Sequence, residues 1–159
     1  MATYEREVYV AAPLDDVWEF HSRISGLEAL TPGWMGLSVE RVRGPDGEVD
    51  PAVLEAGSKI EMELRPLGGP SQSWTSVITD REESEGRATF RDEMRGGPFR
   101  RWIHVHQFLA EGSGTRIRDT VHYELPGGEL GRLVGPAAAV GFEPMFRYRH
   151  RKTKELLES

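Results

Sequence analysis

The chain has 159 residues, 38% of them hydrophobic and 29% charged, which is ordinary for one globular domain spanning 1–159 with a single core. It contains no cysteine, and that excludes disulfides, thiolate nucleophiles and cysteine-based zinc or iron–sulfur sites. A net charge of −6 argues against a nucleic-acid partner, because neutralising phosphates takes a basic face.

Tyr4 to Val10 alternates and is rich in β-formers, so a first strand is expected there. Pro13 suits the first position of a following helix, where Asp15 and Asp16 complement the positive dipole end and Leu14, Val17, Trp18 and His21 share a face. Leu27, Leu30, Trp34 and Leu37 carry the apolar pattern through a second short helix and a loop broken by Pro32, Gly33 and Gly36. Strands are expected over Ser38–Arg43, Ser58–Arg65, Ser73–Thr79 and Arg87–Met94, the last two separated by the acidic turn REESEG. RGGPF then makes a Gly/Pro break.

Trp102 to Pro126 reads WIHVHQFLAEGSGTRIRDTVHYELP, two alternating strands around a turn at Glu111 to Gly114. If Ala110 pairs with Thr115, then Phe108 opposes Ile117, His106 opposes Asp119, His104 opposes Val121 and Trp102 opposes Tyr123. Ile117, Val121 and Tyr123 make one face apolar, so Asp119 falls on the inner face and needs a partner there. From Leu130 onward Leu133, Val134, Ala137, Ala138, Phe142, Met145, Phe146 and Leu156 recur at helical spacing, predicting one apolar stripe. Gly131, Gly135, Pro136, Gly141 and Pro144 predict a kink or split in the first half of that helix. Arg147, Arg149, Arg151, Lys152 and Lys154 read as the cationic complement of its C-terminal dipole rather than a phosphate patch.

The strings EVYVAAPLDDVWEFH, FRDEMRGGPFRRWIHVHQF and TRIRDTVHYELPGGELG resemble the START-like, polyketide cyclase-like superfamily, also called SRPBCC. The later two are similar to a bacterial ligand-binding subgroup that includes proteins associated with cell-division inhibitors. The resemblance covers nearly the whole chain. It implies an α+β helix-grip fold, a curved antiparallel sheet wrapped around a long C-terminal helix with two short helices after the first strand, and a cavity between sheet and helix. Relatives range from lipid and hormone binders to aromatase/cyclases and ring-hydroxylating oxygenase domains, so fold alone does not fix function.

His104 and His106 lie on one side of a strand, and with Asp119 they have the residue types for a metal set, for a base held by a carboxylate, or for a buried hydrogen-bonded cluster. The third is the plainest reading; no metal and no cofactor are expected. Asp92 is a second inward acid or a partner for Arg100 or Arg101, the ion pair being preferred. Trp34, Trp74, Phe90, Trp102, Phe108, Tyr123, Phe142, Met145 and Phe146 are candidate cavity walls, although core packing explains such residues as well. The functional expectation is binding of a small hydrophobic or aromatic molecule. The alternatives are a cyclase/dehydratase-like enzyme using a cavity histidine as base, and a protein-interaction module with a closed cavity.

No run reaches the roughly 18 apolar residues of a membrane span. MATYEREVYV lacks the apolar core of a secretory signal, so a cytoplasmic location is the default expectation, with oligomeric state open.

Overall fold

The computed structural model describes residues 1–158. Strand β1 (Ala2–Val10) leads into helices α1 (Leu14–His21) and α2 (Ile24–Leu30) and a 3₁₀ turn at Gly33–Met35. Six strands follow: β2 (Ser38–Arg43), β3 (Lys59–Leu64), β4 (Gln72–Ser84), β5 (Arg87–Gly96), β6 (Arg101–Glu111) and β7 (Gly114–Glu124). Helix α3 (Gly128–Leu157) closes the chain. The strands form one antiparallel sheet in the order β1-β7-β6-β5-β4-β3-β2, curved around α3 in the helix-grip arrangement.

The β6–β7 register is the one the sequence implies, with Trp102 opposite Tyr123, His106 opposite Asp119 and Ala110 opposite Thr115. Two features fix it. Gly112, at φ +62°, supplies the left-handed residue of a tight turn, and a slip of one residue would turn Phe108, Ile117 and Val121 out of the core.

Three local expectations need correction. Pro13 is the N-cap rather than the first helical residue, its extended ψ of 149° placing it one step outside α1. REESEG is not a turn throughout: β4 runs on to Ser84, because Arg81 to Ser84 pair with Arg87 to Phe90 and the reversal needs only Glu85 and Gly86.

Helix α3 is not split, and of the predicted stripe only Ala138, Phe142, Met145 and Phe146 turn inward. It continues through Pro136 and Pro144, and its buried face is Gly131, Gly135, Phe146, His150 and Thr153, with Ala138, Ala139, Phe142 and Met145 partly buried beside them. Leu130 and Leu133 are 67% and 78% exposed, and Val134 and Leu156 also face outward. The physical reason lies at Gly131, where a Cβ would collide with the carbonyl oxygens of Leu125 and Pro126. Close approach selects the glycine edge and turns the leucines to solvent. Gly135 reinforces it, its carbonyl accepting a 2.6 Å hydrogen bond from the Tyr123 hydroxyl.

Apolar packing divides into three groups. Trp18, Phe108 and Ile117 anchor α1 to the sheet; Tyr4, Trp102, Tyr123 and Phe146 anchor α3; and Val42, Leu54, Ile60, Met62 and Ile78 line the β2–β4 end.

Candidate functional site

The inner face of the sheet, α2 and the C-terminal half of α3 border a partly open cavity of about 130 Å³. Its walls come from Leu27 and Leu30 of α2, Ile60 and Met62 of β3, Ile78 of β4 and Phe146 of α3, among others. That volume is below the roughly 300 Å³ of a pocket for a drug-sized ligand, and close to the roughly 150 Å³ that accommodates benzene.

Of the candidate wall residues, Trp74, Phe90, Asp92, Trp102, His104, His106, Met145 and Phe146 do line this space. Trp34, Phe108, Tyr123 and Phe142 are placed elsewhere. Trp34 is 41% exposed and borders an outer groove with Val140 and Tyr148. Phe108 is fully buried against Trp18, while Tyr123 and Phe142 pack together behind the wall, their rings 4.9 Å apart. Inward-facing alternation marks a strand residue as buried, yet it does not separate a lining position from one sealed by a neighbouring element.

The polar residues of the wall pair diagonally. His104 stands between Val121 and Asp92 on its two neighbouring strands, and His106 stands between Asp119 and Phe90. The His104 Nε2–H nevertheless donates to Asp119 Oδ1 at 2.8 Å, and the His106 Nε2–H donates to Asp92 Oδ2 at 2.8 Å. Each imidazole thus reaches a carboxylate two positions along the adjacent strand. Stacking locks the rings, with centroids 3.6 Å apart between His104 and His106 and 3.8 Å between His106 and Phe90. The preferred pairing of Asp92 with Arg100 or Arg101 is therefore incorrect: a buried carboxylate beside an imidazole on the next strand takes that donor, and Arg100 lies instead against Glu124.

A third imidazole was not foreseen as part of the site. His150 of α3 donates through Nε2 to Asp119 Oδ2 at 2.5 Å, so Asp119 accepts from one histidine on the sheet and one on the helix. The available signal was a histidine one turn beyond Phe146 on the helix, which becomes informative only once the buried face is known. His21 of α1 also lines the cavity, its Nδ1–H donating to the Val17 carbonyl.

Burial opposes ionisation of both acids, but the imidazole donors outweigh it: His106 and nearby charges hold Asp92 below the ordinary carboxylate value, and His104 with His150 hold Asp119 well below it. Burial acts the other way on the bases, lowering His106 to about 4 and His21 to about 3. At neutral pH His106 is a neutral donor to a charged acceptor. Its Nδ1, 3.5 Å from Asp119 Oδ1, and that of His150 are buried without a hydrogen-bond partner among the described residues.

Asp92, His104 and His106 each offer a ligand atom within 4.8 Å of the others, the geometry of a three-ligand cation set. The same groups are engaged in the pairs His106–Asp92 and His104–Asp119.

Comparison with known proteins defines the class. The family described as polyketide cyclase / dehydrase and lipid transport matches residues 10–145, and the chain belongs to that family. Its fold is shared with TTHA0849 from Thermus thermophilus, at 21% identity over 98% of this chain and 97% of that one with a TM-score of 0.64. CV1439 from Chromobacterium violaceum gives a TM-score of 0.69 at 13% identity, covering 99% and 97% of the two chains. A Thalictrum norcoclaurine synthase point mutant, in complex with a transition-state analogue, superposes with a TM-score of 0.67 at 17% identity over 98% and 93%. No curated protein matches the sequence. The family and fold support a hydrophobic ligand-binding domain. No helix is long and apolar enough to cross a membrane.

Proposed function

We propose that the chain binds a small, largely apolar molecule of about one ring in the cavity between the sheet and α3, with the polar side chains that line it orienting its polar group. The observation carrying this is a partly open space walled mainly by Leu, Ile, Met and Trp side chains that His104, His106, Asp92 and Arg149 also line. The stacked rings of Phe90, His106 and His104 offer a flat surface to a flat guest. Native mass spectrometry of freshly purified protein is expected to detect a copurifying molecule of low mass. If none copurifies, and no member of a panel of single-ring compounds raises the melting temperature, the proposal fails.

One observation favours a catalytic reading beside it. His104 holds its Nε2–H on the buried carboxylate of Asp119, which fixes the tautomer and leaves Nδ1 as the basic nitrogen of a ring that lines the cavity. That is the arrangement of a general base oriented by a carboxylate, suited to removing a proton next to a carbonyl. Its test is deuterium exchange at the methyl group of acetophenone in D2O. Exchange above the buffer rate that disappears in His104→Gln supports catalysis; exchange at the buffer rate with the native protein leaves binding alone.

A further inference from the structure

The C-terminal part of α3 carries five basic residues, and four of them have carboxylate partners: Arg147 with Glu143, Arg151 and Lys152 with Glu155, and Lys154 with Glu158. Arg149 alone makes no ion pair among the described residues. It lies one turn after Met145 on the same side of the helix, and it lines the cavity. Its Nε is buried without a hydrogen-bond acceptor.

Two further lining residues share this condition. Trp74 Nε1 and Trp102 Nε1 are buried N–H donors with no acceptor, on neighbouring indoles whose rings are 6.2 Å apart. Unpaired donors at Arg6 and Trp18 exist too, but those residues do not line the cavity. The nearby acids are already engaged: Asp92 Oδ2 accepts from His106, and Asp119 accepts from His104 and His150. Arg23, the other arginine of the lining, is bonded to Glu19. Among the described lining residues the unpaired buried atoms are thus three donors and one acceptor, His106 Nδ1, and the Arg149 charge acts on the Asp92 carboxylate without an ion pair or hydrogen bond to it. A buried donor left unpaired costs about 1–3 kcal/mol, so a guest is favoured in proportion to the acceptor oxygens it brings.

We infer that the ligand is a small apolar carboxylic acid, bound as its anion with the carboxylate on the Arg149 guanidinium and its ring or short chain against Leu27, Ile60 and Ile78. This rests on the cavity being a binding site and adds the chemical class of what enters it. A planar guanidinium accommodates a carboxylate through two parallel hydrogen bonds, and an arginine that has not spent its donors on the protein is free to make them.

The test compares matched pairs, benzoate with benzyl alcohol and hexanoate with 1-hexanol, by isothermal titration calorimetry on the full chain, with tryptophan fluorescence reporting occupancy beside Trp74 and Trp102. The acids are expected to bind about ten-fold or more tightly than the alcohols. Arg149→Gln is expected to erase that preference while changing alcohol affinity by less than about two-fold, and Arg149→Lys to restore part of it. Trp74→Phe, which removes an N–H, is a second variant should Arg149→Gln not fold, and it too is expected to weaken the acids selectively. Alcohols binding as tightly as acids, or an acid preference unchanged in Arg149→Gln, would overturn the inference and leave the binding reading standing. Neither class binding would overturn both.

Discussion

Along the β5–β7 side of the cavity, two carboxylates and three imidazoles on four different elements are joined by hydrogen bonds, whereas on the β2–β4 side Leu54, Ile60, Met62 and Ile78 make a wall that is mainly apolar, with Ser76 among them. The polar side is stiff because each hydrogen bond fixes the next; removing one partner strands another in a place water does not reach. The apolar side is non-directional. Its side chains can be trimmed or repacked at modest cost, so it is the side that sets how large a guest fits. Under the proposed binding function, orientation and capacity fall to different walls.

The largest effect should come from Asp119→Ala, which leaves two buried imidazoles without their acceptor. It is expected to cost about 3–5 kcal/mol in urea unfolding, the range for breaking a buried ionic cluster. A loss below about 1 kcal/mol would mean that the polar wall is no stiffer than the apolar one. Asp92→Asn keeps the shape and an acceptor oxygen for His106 while removing the charge, and about 1–3 kcal/mol is expected.

Acid separates the two walls without mutation. His106 and His21 are held below their ordinary 6.5, so the unfolded chain takes up protons first as the pH falls. Stability present above pH 6.5 is expected to decline as the pH drops toward about 4 through His106 and on toward about 3 through His21, with Asp92 and Asp119 adding their share below their ordinary 3.8. His21→Asn should flatten the slope of melting temperature against pH between 6.5 and about 4. An equal slope in that variant would remove His21 from the account. The smallest effect belongs to the apolar wall: Ile60→Val should cost only about 0.5–1.5 kcal/mol while admitting a guest one methyl larger, read as improved binding of 4-methylbenzoate relative to benzoate.

Much of the fold was legible because its signals are local. Strand alternation, the two short helices after β1 and the turn between β6 and β7 each follow from a few neighbouring residues, and the hairpin register followed from turn length plus one apolar face. The helix was read less well, since the leucines suggested a core stripe where Gly131 and Gly135 are the buried residues, Gly131 against the connection that leaves β7. Bulk marked the wrong edge because close packing there favours the absence of a side chain. The basic run near the C-terminus was likewise read as a dipole complement, and within it Arg149 turns toward the cavity while its neighbours find carboxylates.

The sequence by itself determined that His104, His106 and Asp119 share the inner face of one hairpin, since strand geometry places alternate residues together whatever surrounds them. Which carboxylate each imidazole holds was decided only by the assembled sheet: the partners lie diagonally across β5–β6 and β6–β7, and ring stacking with Phe90 sets the angle. His150 and Arg149 joined the site only when α3 packed onto the sheet, for their position depends on which edge of the helix turns toward the sheet. Local pattern fixes the side a residue faces; what it meets there is fixed by elements far away in the chain.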